Sequence, residues 1–390
     1  MPTWQNWSGR LSSKPEQLSF IYTEEQAAAL ALACKKAGQS LRAVGSGHSH
    51  KELVVDGDVI ADLQALSGVI SVDTQNKTAW VGGGTKIYAL GAALHRHGMA
   101  LPNQGDIDQQ TITGATATGT HGTGASLQNL SSRVVGARIA LASGEIVECS
   151  PTQNAELWQA SRLHLGAFGL VVAVQLQCVE SYRLQEQIQR LPLSEALNDL
   201  DTLVANNRHC EFFWYPQSDT ANLKTINPTD TPAEYPLAGE GERCGWSYEV
   251  LPNHRPHLHT EMEYSVPASQ GPACMKAIQS LLNGTFTDVR WPVEYRTLAA
   301  DDVWLSTAYE RDTVTISVHQ DVNLPDGDYY RACEEIFVDF DGRPHWGKAN
   351  YLSGEQLAKQ HTKWDDWWRV RDSVDPQGTF LNPYMRSIRP

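Results

Sequence analysis

Three short stretches carry residues whose types and spacing could do chemistry. In Val293-Glu-Tyr-Arg-Thr297, Glu294 and Arg296 lie two apart, and on a strand they share one face. That pair could be a solvent-side ion pair on a half-exposed sheet, or the polar floor of a site for a hydroxylated ligand. In Thr313-Val-Thr-Ile-Ser-Val-His319, alternation puts Thr313, Thr315, Ser317 and His319 on one face and Val314, Ile316 and Val318 on the other. In Arg343-Pro-His-Trp-Gly-Lys348, a turn through glycine and proline presents Lys348 from an aromatic-flanked loop, which a lysine wanted only for solubility does not need.

Two glycine-rich segments suggest a large ligand. Leu41 to Lys51 runs from apolar residues into Gly45-Ser-Gly47 and then His48, so a buried strand ends in a tight turn that presents an imidazole. Successive backbone N–H groups in such a turn cradle anions, phosphate above all. From Pro102 to Gly124 the chain has almost no bulky apolar residue and no Lys or Arg, but a run of threonines, glycines and alanines around His121. Such a segment packs badly as core and well against a flat ligand, to which it offers N–H groups and hydroxyls. Gly82-Gly-Gly-Thr-Lys86 lacks the spacing of a nucleotide-triphosphate loop. His48, His50 and His121 have no carboxylate or cysteine near them at metal-ligand spacing, so no metal is expected.

The elements that must position these groups follow from capping and periodicity. Thr23 to Gly38 reads as a helix, with Thr23 and Gln26 at its start, lysines in its last turn and Gly38 after it. Strands are expected at Ser40–Val44, Val54–Ala61, Gly68–Asp73 and Thr78–Val81, and a helix from Lys86 to Gly98. A hairpin over Val134–Glu148 turns at Ser143-Gly-Glu145. Leu163 to Val174 brings glycines up to a buried strand, a change of texture near Cys178 marks a domain boundary, and Pro192 to Asn206 reads as a helix. Strands are expected at Cys210–Tyr215 and Glu261–Val266, with Gln217 to Pro256 between them as a long surface excursion without chemistry.

Composition narrows the partners. With 390 residues and 41% hydrophobic content, the chain has room for two cores. A net charge of −14 disfavours nucleic acid and anionic membrane, and leaves a small neutral or polar molecule as the expected substrate. No apolar run approaches the roughly 18 residues of a membrane span. Seven scattered cysteines without a C-x-x-C pair fit a reducing cytoplasm.

Gly45-Ser-Gly-His-Ser49, Gly105 to Gly114 running into Thr118-Gly-Thr-His-Gly-Thr-Gly124, Glu261-Met-Glu-Tyr-Ser-Val-Pro267 and Arg343 to Lys348 occur in the order found in the aldonolactone and alditol oxidases, which the chain resembles over nearly its whole length. The resemblance implies an α+β fold of the vanillyl-alcohol-oxidase type. It implies a two-part FAD-binding domain over 1–178, an α+β substrate (cap) domain with an antiparallel sheet over 179–349, and a C-terminal segment, 350–390, returning to the FAD domain. It implies hydride transfer from the CH–OH group of a sugar-derived aldono-1,4-lactone to FAD, with oxygen or another acceptor reoxidising the flavin. A sugar alcohol such as xylitol or sorbitol is the alternative substrate, and a non-catalytic flavin- or ligand-binding protein the second alternative. Lys348, Arg296, Glu294 and His319 are then the catalytic set. Cofactor contacts fall to Ala43, Val44, Gly45, Ser46, Gly47, His48 and Ser49, to Gly105 and Asp106, and to Thr111, Gly114 and Ala115. They continue through Thr118, Gly119, Thr120, His121, Gly122 and Thr123 to Gly169, Val171 and Lys348. His48 matches the position at which many members bond covalently to the flavin.

Overall fold

A computed structural model describes residues 1–390, and its first unit is a small parallel sheet backed by one helix. Strands Gln17–Phe20 and Leu41–Val44 flank Val59–Asp62. Helix Glu24–Ala37 forms where capping predicts: Gln26 N–H donates to Thr23 Oγ1, and Gly38 closes the last turn at φ 68°. Its small face, Ala27, Ala28, Ala31 and Cys34, packs between this sheet and a second one. The second sheet is antiparallel, in the order Ile146–Cys149, Val134–Ala140, Leu170–Gln177, Thr78–Gly82 and Val69–Asp73. The expected hairpin is its edge.

An eight-stranded antiparallel sheet follows, in the order Cys244–Trp246, Arg183–Pro192, Thr220–Pro228, His209–Tyr215, Val293–Leu298, Thr313–Asp321, His259–Pro267 and Arg343–Pro344. Alternation sorts its faces. Phe212 stacks on Tyr295 at 4.8 Å and Tyr264 on Phe337 at 5.0 Å, within a core shared with helices Gly271–Gly284 and Gly327–Asp339. The opposite face carries Lys224, Glu211, Glu294, Arg296, Ser317, His319, Glu261 and Glu263, each directly across from the next strand's polar residue. These side chains are buried all the same.

Four expectations need correction. Val54–Ala61 is strand only from Val59, because the run before it loops around the buried Arg42 side chain, whose Nε donates to Leu53 O at 2.6 Å. The helix expected over Lys86–Gly98 spans Ile87–His95. That expected from Pro192 to Asn206 breaks at Asp199 into Leu193–Asn198 and Leu200–Asn206. Most important, Gln217–Pro256 is not all surface: Thr220–Pro228 is an interior strand of the large sheet and delivers Lys224 to its polar face. Polar residues facing a charged cavity made this strand read as loop.

The last forty residues pack against the first unit. Trp367 Nε1 donates to Leu163 O at 3.0 Å, Leu41 N–H to Thr379 O at 2.7 Å, and Asn382 Nδ2 to Glu52 O and Val55 O at 2.7 and 2.8 Å. No helix is long and apolar enough to cross a membrane.

Candidate active site

Two cavities meet at Gln110, His345 and Lys348. The first lies beyond the end of strand Leu41–Val44. Residues Ala43 to Ser49, Thr111, Gly114, Thr118, Val171 and Lys348 line it, together with Thr113, Ala117 and His164 to Gly166. Glycine is needed here for close approach: a Cβ on Gly45 would lie 2.0 Å from Thr111 Oγ1. Gly47 sits at φ 67°, a conformation that turns the chain so that His48 faces inward. Lys86 Nζ donates to Ser46 Oγ at 2.6 Å, which places a cation beside the turn. The His48 ring lies 5.5 Å from that of Trp7. Partial burial, with Lys348, Lys86 and His259 nearby, pulls its imidazole down to about 4, so the ring is neutral at pH 7.

The second cavity, about 540 Å³, lies between these loops and the polar face of the eight-stranded sheet. Gly105, Asp106, Thr120, His121, Glu294, Arg296, His319 and Lys348 line it. Strand alternation does place Glu294 and Arg296 on one face, but the face is interior. The Glu294 carboxyl contacts the Arg296 guanidinium, and Arg296 Nε donates to Glu211 Oε2 at 2.9 Å. Burial raises the Glu294 carboxyl and Arg296 pulls it down, but Glu211, Asp106 and Glu261 push it back, leaving it at about 8.

Lys348 Nζ contacts the carboxylate of Glu261, a buried side chain on the neighbouring strand. Burial works against that charge, yet Lys348, His259 and His319 hold the Glu261 carboxyl well below its usual range. His319 Nδ1 donates to Pro292 O at 2.8 Å, and its Nε2 lies 3.7 Å from Glu261 Oε1. His121 is engaged on both sides: Nδ1 with Gly122 O at 2.9 Å, Nε2 with Glu263 Oε1 at 2.8 Å. Burial opposes its charged form, but Glu263 outweighs it and the pKa rises. Ser317 Oγ donates to the other oxygen of Glu263 at 2.7 Å. His345 Nδ1 accepts from Gly347 N–H at 3.0 Å, and burial takes this imidazole down to about 4, so its proton sits on Nε2.

Some expected cofactor residues lie elsewhere. Ala115, Gly119, Gly122, Thr123 and Gly169 line neither cavity. Thr123 Oγ1 donates to Cys210 O at 2.6 Å, Gly119 ends helix Ile112–Thr118, and a Cβ on Gly169 would meet Ala140 O at 2.6 Å. Asp106 turns its carboxylate to Arg255 Nε, 2.8 Å away, and faces the second cavity rather than the first. Sequence reading passed over Glu211, Lys224, Glu261, Glu263 and His345. The period-two series His259, Glu261, Glu263, Ser265 was the available signal. It also undoes the spacing argument against a metal, since Glu263 reaches His121 and Glu261 lies near His50, although Ser317 and Lys348 already engage these carboxylates.

The polar lining of the first cavity suits FAD. Its turn has no room for a Cβ at Gly45, and Thr111 Oγ1 and Gln110 Oε1 are buried there without a partner. The fold agrees. Cholesterol oxidase from B. sterolicum superposes with a TM-score of 0.85 at 16% identity, covering 100% of this chain and 96% of that one. 6-Hydroxy-D-nicotine oxidase from Arthrobacter nicotinovorans does so with 0.75 at 15%, covering 96% and 93%. A FAD binding domain model matches residues 15–150, and the class is thus that of the FAD-binding oxidoreductases.

Within that class, the model described as D-arabinono-1,4-lactone oxidase matches residues 174–243 and 235–388. The L-gulono-1,4-lactone dehydrogenase of Mycobacterium tuberculosis is 36% identical over 99% of both chains. The L-gulonolactone oxidase of Bos taurus is 27% identical over 98% of this chain and 97% of its own, and the alditol oxidase of a Streptomyces species 28% over 98% of each. The chain belongs to the D-arabinono-1,4-lactone oxidase family.

Proposed function

We propose that this enzyme oxidises a CH–OH carbon of an aldono-1,4-lactone. The carrying observation is the junction of the two cavities at Lys348 and His345, where a chamber suited to FAD opens onto a sheet face of fixed charges. When bound, FAD supplies the two-electron acceptor. The chain's part is to orient the lactone, donate to its oxygens and take the hydroxyl proton.

Lys348 meets an ionised Glu261, so it enters as an ammonium donor rather than as a base. Arg296, fixed by Glu211, directs its remaining N–H groups to the cavity and favours charge developing on a substrate oxygen. Glu294, neutral below about pH 8, can both donate to and accept from sugar hydroxyls. His319 is the group suited to receive the hydroxyl proton. Its Nδ1 is committed to Pro292 O, which leaves Nε2, beside the Glu261 carboxylate, to take the proton.

The neutral His48 ring in the cofactor chamber supports covalent attachment of the flavin there. The reading takes residues 1–178 as the FAD domain, 179–349 as the cap and 350–390 as the returning segment. Seven unpaired, buried cysteines suit a reducing compartment, the cytoplasm. Oxygen or another acceptor closes the cycle.

The test is anaerobic flavin bleaching by a panel of aldono-1,4-lactones, xylitol and sorbitol, followed by peroxide release in air and dye reduction without it. Bleaching by lactones supports the assignment, and bleaching by polyols alone moves it to alditols. A yellow protein that nothing bleaches would leave a flavin-binding protein without this activity.

A further inference from the structure

A row of buried charges crosses the middle of the large sheet. Lys224 and Arg296 stand directly opposite Glu211 from its two neighbouring strands. Lys224 Nζ lies 2.7 Å from Glu211 Oε1, and Arg296 Nε lies 2.9 Å from Glu211 Oε2, so one carboxylate joins two cations. Arg296 then meets Glu294, two residues back on its own strand. Cation, anion and cation alternate through Lys224, Glu211 and Arg296, and the row ends on the Glu294 carboxyl. Asp106 and Glu240 complete the outer end, 3.9 and 3.3 Å from Lys224 Nζ, and Arg255 binds both.

Buried ion pairs of this kind seldom add net stability over apolar residues of similar volume. A row that ends at the cavity has another use. Arg296 has a planar fork of five N–H donors; Glu211 holds Nε and the Glu294 carboxyl lies against one terminal nitrogen, which restricts the plane and the direction of the remaining donors. We propose that Lys224 and Glu211 are positioning residues for this oxidation, acting through Arg296 and Glu294: Glu211 lies behind the cavity wall, and Lys224, which lines the cavity at its outer end, is held there by Glu211. This rests on the reading of Glu294 and Arg296 as substrate contacts.

The row also sets the charge around Glu294. Facing it are Arg296 on its own strand, Glu211 and Lys224 from the strands on one side, His319 and Glu261 from the other, and Asp106 and Lys348 from the loops. Removing Glu211 deletes one anion that helps Glu294 keep its proton and frees Arg296 to pair with Glu294 alone. Removing Lys224 leaves Glu211 less neutralised, which acts in the opposite sense.

The experiment uses flavin-loaded Glu211→Gln, Glu211→Asp and Lys224→Met proteins, with L-gulono-1,4-lactone and D-arabinono-1,4-lactone as probes in anaerobic stopped flow from pH 5 to 10. In Glu211→Gln the limiting reduction rate should fall at least about 10-fold with flavin content unchanged, and the alkaline limb should move down by about one pH unit. Glu211→Asp keeps the charge and should return the limb to its wild-type position. Lys224→Met should slow reduction and move the limb upward. Where Glu211→Gln does not accumulate folded, Glu211→Asp still tests reach: a shorter carboxylate cannot span both cations, and the rate should drop with the limb in place. Rates within twofold of wild type with an unmoved limb overturn the inference, as does loss of flavin content in step with rate. Glu294→Gln and Arg296→Lys are measured alongside. If these two are also as fast as wild type, the substrate-contact reading fails; if they are slow while the Glu211 and Lys224 variants are fast, only the positioning role fails.

Discussion

Lys348→Met separates what the lysine does for the fold from what it does for the reaction. The substitution keeps most of the stem and deletes a cation in contact with Glu261, whose side chain is 8% exposed against 21% for the lysine. Breaking a buried pair by removing one member costs about 3–5 kcal/mol. With the lysine end one-fifth open to solvent, the lower figure, about 3 kcal/mol, is expected. The double variant Lys348→Met/Glu261→Gln removes the stranded carboxylate too and should regain all but about 1 kcal/mol. Catalysis should not recover with it. One electrostatic contact to a developing oxyanion is worth about 10²- to 10³-fold, so both variants should be reduced by lactone that much more slowly. Urea unfolding followed by circular dichroism gives the first quantity and anaerobic stopped flow the second. Equal stability and reduction within twofold in the single variant would place Lys348 outside the site and refute the reasoning.

His48→Ala should leave flavin that acid precipitation releases, whereas the unaltered protein should keep it with the polypeptide; release from both would remove the covalent bond but not the fold. Gly45→Ala puts a methyl 2.0 Å from Thr111 Oγ1 and should lower FAD content several-fold, read from the absorbance ratio of flavin to protein. Against pH, Glu211, held at about 2 by Lys224 and Arg296 despite its burial, contributes stability present above its ordinary 4.5 and lost as pH falls toward 2. Glu294, raised to about 8, contributes stability present below 4.5 and lost as pH rises through 8. Unfolding midpoints in urea should therefore drop on both sides of about pH 5, and Glu294→Gln should flatten only the alkaline decline.

Local chemistry was legible in the sequence. Thr23 and Gly38 bracket their helix because a hydroxyl cap and a left-handed glycine act within one turn of chain. The shared face of Glu294 and Arg296 follows from strand alternation alone, but whether that face looked to solvent or to a cavity did not. Burial of a sheet face depends on what the rest of the chain lays over it, here the loops carrying Asp106, Thr120 and His121. Strand Thr220–Pro228 was hidden for the same reason, since Lys224 looks like surface until Glu211 and Glu240 meet it. Glu261 and Glu263 were visible as an alternating pair. Their partners, Lys348 and His121, come from segments 87 and 142 positions away.

The contacts made by Thr379, Phe380 and Asn382 bear on how the protein is made. Arg42, at the root of the glycine turn, donates to the carbonyls of Leu53, Leu165, Gly166 and Phe380, and Leu41 takes its backbone acceptor from Thr379. A ribosome delivers these partners in order from the amino end, so the turn that holds His48 waits for some three hundred and thirty further residues before its last supports exist. Synthesis of the eight-stranded sheet is finished by then. Cofactor capture should accordingly wait for Thr379 and Phe380, and a nascent chain stalled before Thr379 should emerge colourless however much FAD surrounds it.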